Sequence, residues 1–357
     1  MKTKLLYMSF VLLGVSSCSK DDNISTIQDH KINVEVAGLQ PLQTRVHQYN
    51  SVTDIIAEQG FALNSYLSKN ANSYFEDVWT YYFVPDNSIV GQWRFRDYAN
   101  IRDYYWPNDS DLNFVAYAPR DLSRSVATIS NISYNSTNGI TFSAKLPETI
   151  TDKTESDRAT ENAKPEFMYA LRKSQDRDND PVSLRFVHPF AAIKFHLQQS
   201  HRNLKIHYIK LHGLSLSGTF ASTEDTSEVN NQDYLTDDNW TAGEKKTLTI
   251  DLEKSVPDDV NYDSSIGGPY LVMPQGLAGV ELSVYYTWDD DNDQTENTKE
   301  SEKISIQTDK IPAWQPGKNY TYILDLGDNK EEILFKVIVE EWDKGEDDDY
   351  ENSFEVN

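Results

Sequence analysis

From Ile32 onward the chain is written in short runs of β-branched and aromatic residues, each stopped by proline, glycine or a polar turn. Ile32, Val34 and Val36 alternate with Asn33 and Glu35. That period of two sets one face of a strand against a core and the other in water. Gly38 and Pro41 end the run. Residues 78–84 (VWTYYFV) and 112–118 (LNFVAYA) close at Pro85 and Pro119, because proline has no N–H to give a ladder. Ile140-Thr141-Phe142 follows the turn sequence Thr137-Asn138-Gly139. A second strand-rich stretch opens at 182–198 and continues through 206–220, 248–252, 269–273, 282–288, 304–306, 320–326 and 333–339. One short helix is predicted over 51–63 and a long polar loop over 151–164. No short-period repeat occurs, which argues against solenoids and propellers. Many short, turn-separated strands predict an all-β chain of two tandem sandwiches.

Length and composition fit that reading. A chain of 357 residues suggests two domains. Asp+Glu number 57 against 33 Lys+Arg, a formal net charge of -24. So negative a surface repels phosphate backbones, which excludes nucleic acid as a partner. Aromatics reach 12%, unlike disordered acidic chains, so a core can form. The single Cys rules out a disulfide scaffold, a cysteine zinc site and an iron–sulfur cluster.

That Cys has an informative position. Lys2 and Lys4 precede an apolar run from Leu5 to Val15, too short to span a bilayer, and residues 1–17 read as a secretory leader. The leader ends Val15-Ser16-Ser17-Cys18, an aliphatic residue, two small residues and a Cys. This is the pattern of a bacterial lipobox, and lipidation at Cys18 would tie the chain to a membrane through acyl chains. Ser19-Lys20-Asp21-Asp22 follows, resembling the surface-export signal of Bacteroidales lipoproteins.

Enzyme motifs are missing from the sequence. The seven His form no His-Glu-x-x-His pair, and His196, His201 and His207 are scattered along strand and turn. Gly213-Leu214-Ser215-Leu216-Ser217-Gly218 has the wrong glycine spacing for a nucleophile elbow. Phosphate and dinucleotide loops are absent. Asp289, Asp291, Asp293 and Glu300 imitate a calcium loop, but Gln294 stands where the turn wants Gly. Asp176, Asp178 and Asp180 make a second acidic triplet. Both read as solvated hairpin tips. No catalytic residue, metal ligand or cofactor is assigned.

Several phrases resemble the fimbrillin family of Bacteroidales, the lipoprotein pilins of type V fimbriae. In the first half they are Tyr105-Trp106-Pro107, then 112–119 (LNFVAYAP), then Glu166-Phe167-Met168-Tyr169-Ala170. In the second half they are 186–195 (FVHPFAAIKF), 213–220 (GLSLSGTF), Met273-Pro274-Gln275 and 314–322 (WQPGKNYTY). Their order spans nearly the whole chain behind the leader.

The resemblance implies two tandem transthyretin-like β-sandwich domains, here 19–182 and 183–357. It implies a structural and adhesive subunit, not an enzyme, carried as an outer-membrane lipoprotein at the cell surface. In this scheme a protease removes an N-terminal strand, and a strand of the next subunit fills the vacated groove. Ile32, Val34 and Val36 are the candidate removable strand. Arg45 and Val46 are the candidate processing site, matching the family's Thr-Arg junction; Arg45 read alone is equally an exposed loop residue. Ile333, Phe335, Val337 and Val339 form a candidate donor strand that fits a final core strand of the second domain equally well. The acidic run 347–349 departs from a plain hydrophobic donor tail, which leaves anchor, tip and accessory roles open. Partners implied are other fimbrial subunits, the outer membrane through the lipid, and a host or bacterial surface ligand. The competing reading is a surface glycan-binding lipoprotein, which would need a cluster of exposed tryptophans.

Overall fold

The computed structural model describes residues 30–37, 56, 60–86, 91–97, 100–152, 166–199, 203–226, 235–255, 264–289, 297–307, 309–326, 334–341 and 353–356. Strands dominate. In chain order they are β1 (Val34–Val36), β2 (Phe61–Leu67), β3 (Ser73–Phe83), β4 (Gln92–Asp97), β5 (Asn100–Arg102), β6 (Leu112–Ala118), β7 (Thr128–Asn135), β8 (Gly139–Lys145) and β9 (Thr149–Thr151). Then come β10 (Met168–Gln175), β11 (Val182–Leu184), β12 (Ala191–Gln199), β13 (Lys205–Ser215), β14 (Ser217–Ser222), β15 (Trp240–Ala242), β16 (Lys245–Ser255) and β17 (Ser264–Val272). The chain continues through β18 (Gln275–Gly276), β19 (Glu281–Trp288), β20 (Asn297–Glu300), β21 (Ile304–Ser305), β22 (Ala313–Trp314), β23 (Lys318–Asp325), β24 (Leu334–Glu341) and β25 (Ser353–Val356).

The first sandwich sets the sheet β10-β6-β2-β3-β4-β5 against the sheet β15-β14-β8-β7. Aromatic side chains join the layers: Tyr169 meets Phe220 at 5.4 Å, and Phe142 meets Phe167 at 4.8 Å. Such tilted ring pairs add specific attraction to the area they bury. β6 is buried along almost its whole length, as a strand covered on both faces must be. The second sandwich uses β17-β12-β23-β24-β25 and β20-β19-β13-β16-β9. The buried faces form one contiguous core. β8 pairs with β14, and β9 with β16, so strands from before and after 182/183 share two sheets. That boundary falls within β11.

Local chemistry explains the turns. Asn135 Oδ1 accepts from the backbone N–H groups of Thr137 and Asn138, folding the β7–β8 hairpin. Gly139 follows with φ +64, and a Cβ there would sit 2.0 Å from the Ser222 carbonyl oxygen. No other residue closes that turn. β3 ends at Phe83, shortly before Pro85, and β6 at Ala118, directly before Pro119, as expected.

One expectation is corrected. Residues 61–63 of the predicted 51–63 helix are strand, in β2. Ile56 is helical, its carbonyl accepting from Gly60 N–H at 2.7 Å. Phe61, Ala62 and Leu63 are all fully buried. A strand buried on both faces reads as an unbroken apolar run, which periodicity cannot separate from helix. Of the predicted 151–164 loop, Thr151 belongs to β9, and 153–164 lie outside the described residues.

Candidate functional site: the seat of the first strand

Residues 30–37 are held from two sides. On one side, Ile32 N–H donates to Tyr104 O at 2.8 Å, and Trp106 N–H donates to His30 O at 2.9 Å. Lys31 pairs with Asp103. On the other, β1 runs parallel to β11 in the register Val34–Val182, Glu35–Ser183, Val36–Leu184. Val182 N–H donates to Asn33 O, and Ala37 N–H to Leu184 O. Ile32 and Val34 are buried and Val36 is half-buried, so the alternation sets its apolar members inward.

Asp180 sets the register. Its carboxylate accepts the backbone N–H of Asn33 at 2.6 Å and the Asn33 side-chain amide at 2.6 Å. Trp106 Nε1 donates to the same group at 3.4 Å. Hydrogen bonds to a charged acceptor are the stronger kind. A slip of one residue would move every side chain of the strand to the opposite face, and this bidentate contact opposes it.

The triplet Asp176, Asp178, Asp180 is therefore not a plain solvated tip. Asp176 caps a short 3-10 turn over Arg177–Asn179, accepting from Asp178 N–H, and Asp180 reaches β1. Sequence reasoning missed Asp180, because its partner lies 147 residues away. Among the described residues, no group of three His, Cys, Asp or Glu side chains is placed to hold a metal. Asp291 and Asp293 lie outside the described residues, and Glu300 is exposed on β20.

The other candidates are distributed as follows. Cys18, Arg45 and Val46 lie outside the described residues, as does Ile333. Phe335, Val337 and Val339 fall in β24, which lies between β23 and β25. Val337 is fully buried and Val339 half-buried. β24 is thus an interior strand of its sheet. β25 is the edge strand, paired through Phe335–Val356, Lys336–Glu355, Val337–Phe354 and Ile338–Ser353.

The family-like phrases have structural roles. Gln275 accepts from Ser215 N–H and donates to Ser215 O and Met273 O, pinning the point where β13 passes into β14. Ser215 is buried, and its Oγ donates to Gly243 O. Trp314 Nε1 donates to the Tyr322 hydroxyl at 2.9 Å. Burial raises that tyrosine's pKa far above its ordinary value. His188 sits buried, with Nδ1 2.7 Å from Glu166. His207 bridges Glu253 and Thr287. Trp106, Trp240, Trp288 and Trp314 are buried, and Trp79 and Trp93 half-buried. A platform of fully exposed tryptophans is absent among the described residues.

A fimbrial protein from Bacteroides vulgatus has 16% sequence identity and a TM-score of 0.52, with 87% of this chain and 99% of that one covered. The tip fimbrial protein Mfa3 from Porphyromonas gingivalis, with C-terminal truncation, has 8% identity and a TM-score of 0.37 over 87% of this chain and 98% of its own. No curated relative matches the sequence. The fimbrillin-like family matches residues 67–342, most of the chain, and the protein belongs to that family.

Proposed function

We propose that this chain is a structural subunit of a cell-surface fimbrium, carried to the outer membrane as a lipoprotein through Cys18. Cleavage after Arg45 would separate residues 18–45, lipid included, and a strand from another subunit would take the seat of β1. The observation that supports this reading is how β1 is held. The segment is short: β1 has three residues on β11, and residues 30–32 add two backbone bonds to 104–106, yet Ile32 and Val34 are buried in the core. Its departure would uncover apolar surface and open the backbone edge of β11, a combination that favours refilling by another strand.

β25 suits the donor role better than β24. Withdrawing β24 breaks two ladders, withdrawing β25 only one. The sequence Ser353-Phe354-Glu355-Val356 also repeats the polar–apolar–Glu–Val order of Asn33-Val34-Glu35-Val36.

A disulfide lock tests the reading. Glu35 and Ser183 are register partners, so Glu35→Cys with Ser183→Cys places two thiols across the β1–β11 pair. After treatment with a trypsin-like protease, the reduced variant is expected to form detergent-resistant oligomers and the oxidised variant none. Equal oligomerisation of both forms would overturn strand exchange at this seat.

A further inference from the structure

The six-stranded sheet of the first sandwich is wider than the four-stranded sheet that covers it. The register runs Tyr169–Tyr117–Ala62–Trp79–Arg96, so these residues share one face. At the Tyr169 end that face lies under Phe220. At the β3–β4 end it carries Trp79, Tyr81 and Phe83 on one strand, with Arg94 and Arg96 on the other, all half-exposed.

These side chains form a ladder. Trp79 and Tyr81 stand 5.6 Å apart, and the Arg96 guanidinium lies 5.1 Å from each ring. The Arg94 guanidinium lies 4.1 Å from the Phe83 ring. Arg120 reaches the Trp79 ring at 6.0 Å and binds Asp77 at 3.0 Å. Gly60 makes room for the indole, since a Cβ there would sit 2.4 Å from Trp79 Nε1. Cation–π contact holds each guanidinium plane in place. In a chain of net charge -24, neither Arg94 nor Arg96 has a carboxylate partner among the described residues. Aromatic residues and arginine, with little lysine or glutamate, are the composition of an interface centre rather than of open surface. Guanidiniums already ordered lose less freedom on binding.

We propose that this Arg–aromatic ladder docks an acidic face of a second copy of the same chain. The occupant follows from charge: the ladder is cationic, and the chain as a whole is strongly acidic. An acidic face is a different surface from the ladder itself, which is cationic and aromatic. The contact is therefore heterologous, ladder against a different surface, and such contacts propagate into open chains instead of closing a dimer. This rests on the fimbrial reading and adds a side-chain contact between subunits, separate from backbone strand exchange. Screening makes the contact salt-sensitive.

The test is sedimentation of the full chain, beside Arg94→Glu/Arg96→Glu, at low and high ionic strength. Wild type is expected to form an open series of oligomers at low salt that disperses at high salt. The double variant is expected to associate at least about tenfold more weakly while still melting as a folded chain, slightly destabilised by the lost cation–π contacts. Arg94→Gln/Arg96→Gln serves if charge reversal impairs folding. The charge-reversed chain keeps its acidic face, so a small proportion of it is expected to cap wild-type oligomers and shorten them. Monomeric wild type at low salt, or association indifferent to both variants, would overturn the proposal. So would ladder-dependent capture of a sialylated or sulfated oligosaccharide without self-association. Protease-triggered, detergent-resistant polymers that form equally in the double variant would leave strand exchange standing, so the two ideas fail separately.

Discussion

Asp180 holds Asn33 by two hydrogen bonds of 2.6 Å each, one to the backbone and one to the side chain, across 147 residues. The two residues join the first strand to the segment just before β11. The contact is partly solvated, so its worth lies below that of a buried charged pair.

Asp180→Ala is expected to loosen β1 without unfolding the rest. Loss of two charge-assisted bonds in a partly solvated setting costs about 1–2 kcal/mol. Hydrogen exchange at 32–37 is expected to speed up roughly tenfold, with exchange in β6 unchanged. Unchanged exchange in the segment would remove Asp180 as its latch.

Ile32 is 2% exposed. Ile32→Ala leaves a cavity where the strand meets the core, and about 2–4 kcal/mol of stability is expected to go with it. Glu35→Ala, at an exposed position of the same strand, is expected to shift the urea midpoint little. Comparable effects of the two substitutions would contradict the inward placement of Ile32.

Gln275 is buried and binds Ser215 N–H, Ser215 O and Met273 O. Gln275→Ala strands those backbone groups away from water. A loss of about 1–3 kcal/mol is expected in equilibrium unfolding. A neutral result would mean that the β13–β14 passage needs no such pin.

His212 supplies a pH dependence. Its Nε2 lies 3.0 Å from Ser283 Oγ and its Nδ1 3.4 Å from Thr247 Oγ1. Burial holds its pKa below the ordinary histidine value, Lys303 and Lys210 push the same way, and Glu281 and Glu300 oppose them. The folded chain therefore binds the proton more weakly than the unfolded chain. The contribution of His212 is complete above about pH 6.5 and falls away as pH drops through the lowered folded value. Wild type is expected to lose stability on that descent, and His212→Gln to lose less. Parallel curves for the two chains would exclude His212 as the source.

Strand positions were legible because their cues are local. Alternation at 32–36, the aromatic run ending at Pro85 and the turn before Ile140 each mark a strand without reference to the rest of the chain. Pairing was not legible. β1 finds β11 and β8 finds β14 across long separations, and no spacing rule names those partners. Asp180 looked like one acid of a loop until Asn33 lay beside it. β25 was hidden by its polar, acidic surroundings, and only its ladder to β24 marks it as a strand. The ladder on β3 and β4 combines two segments whose arginines and aromatics are unremarkable apart.

The central claim is that β1 leaves its seat when the subunit assembles. The direct measurement is intact mass and N-terminal sequence of the chain recovered from polymers on native cells. Chains beginning at Val46, without lipid and without residues 30–37, are the predicted result. Polymer chains that still carry Cys18 and β1 would contradict it.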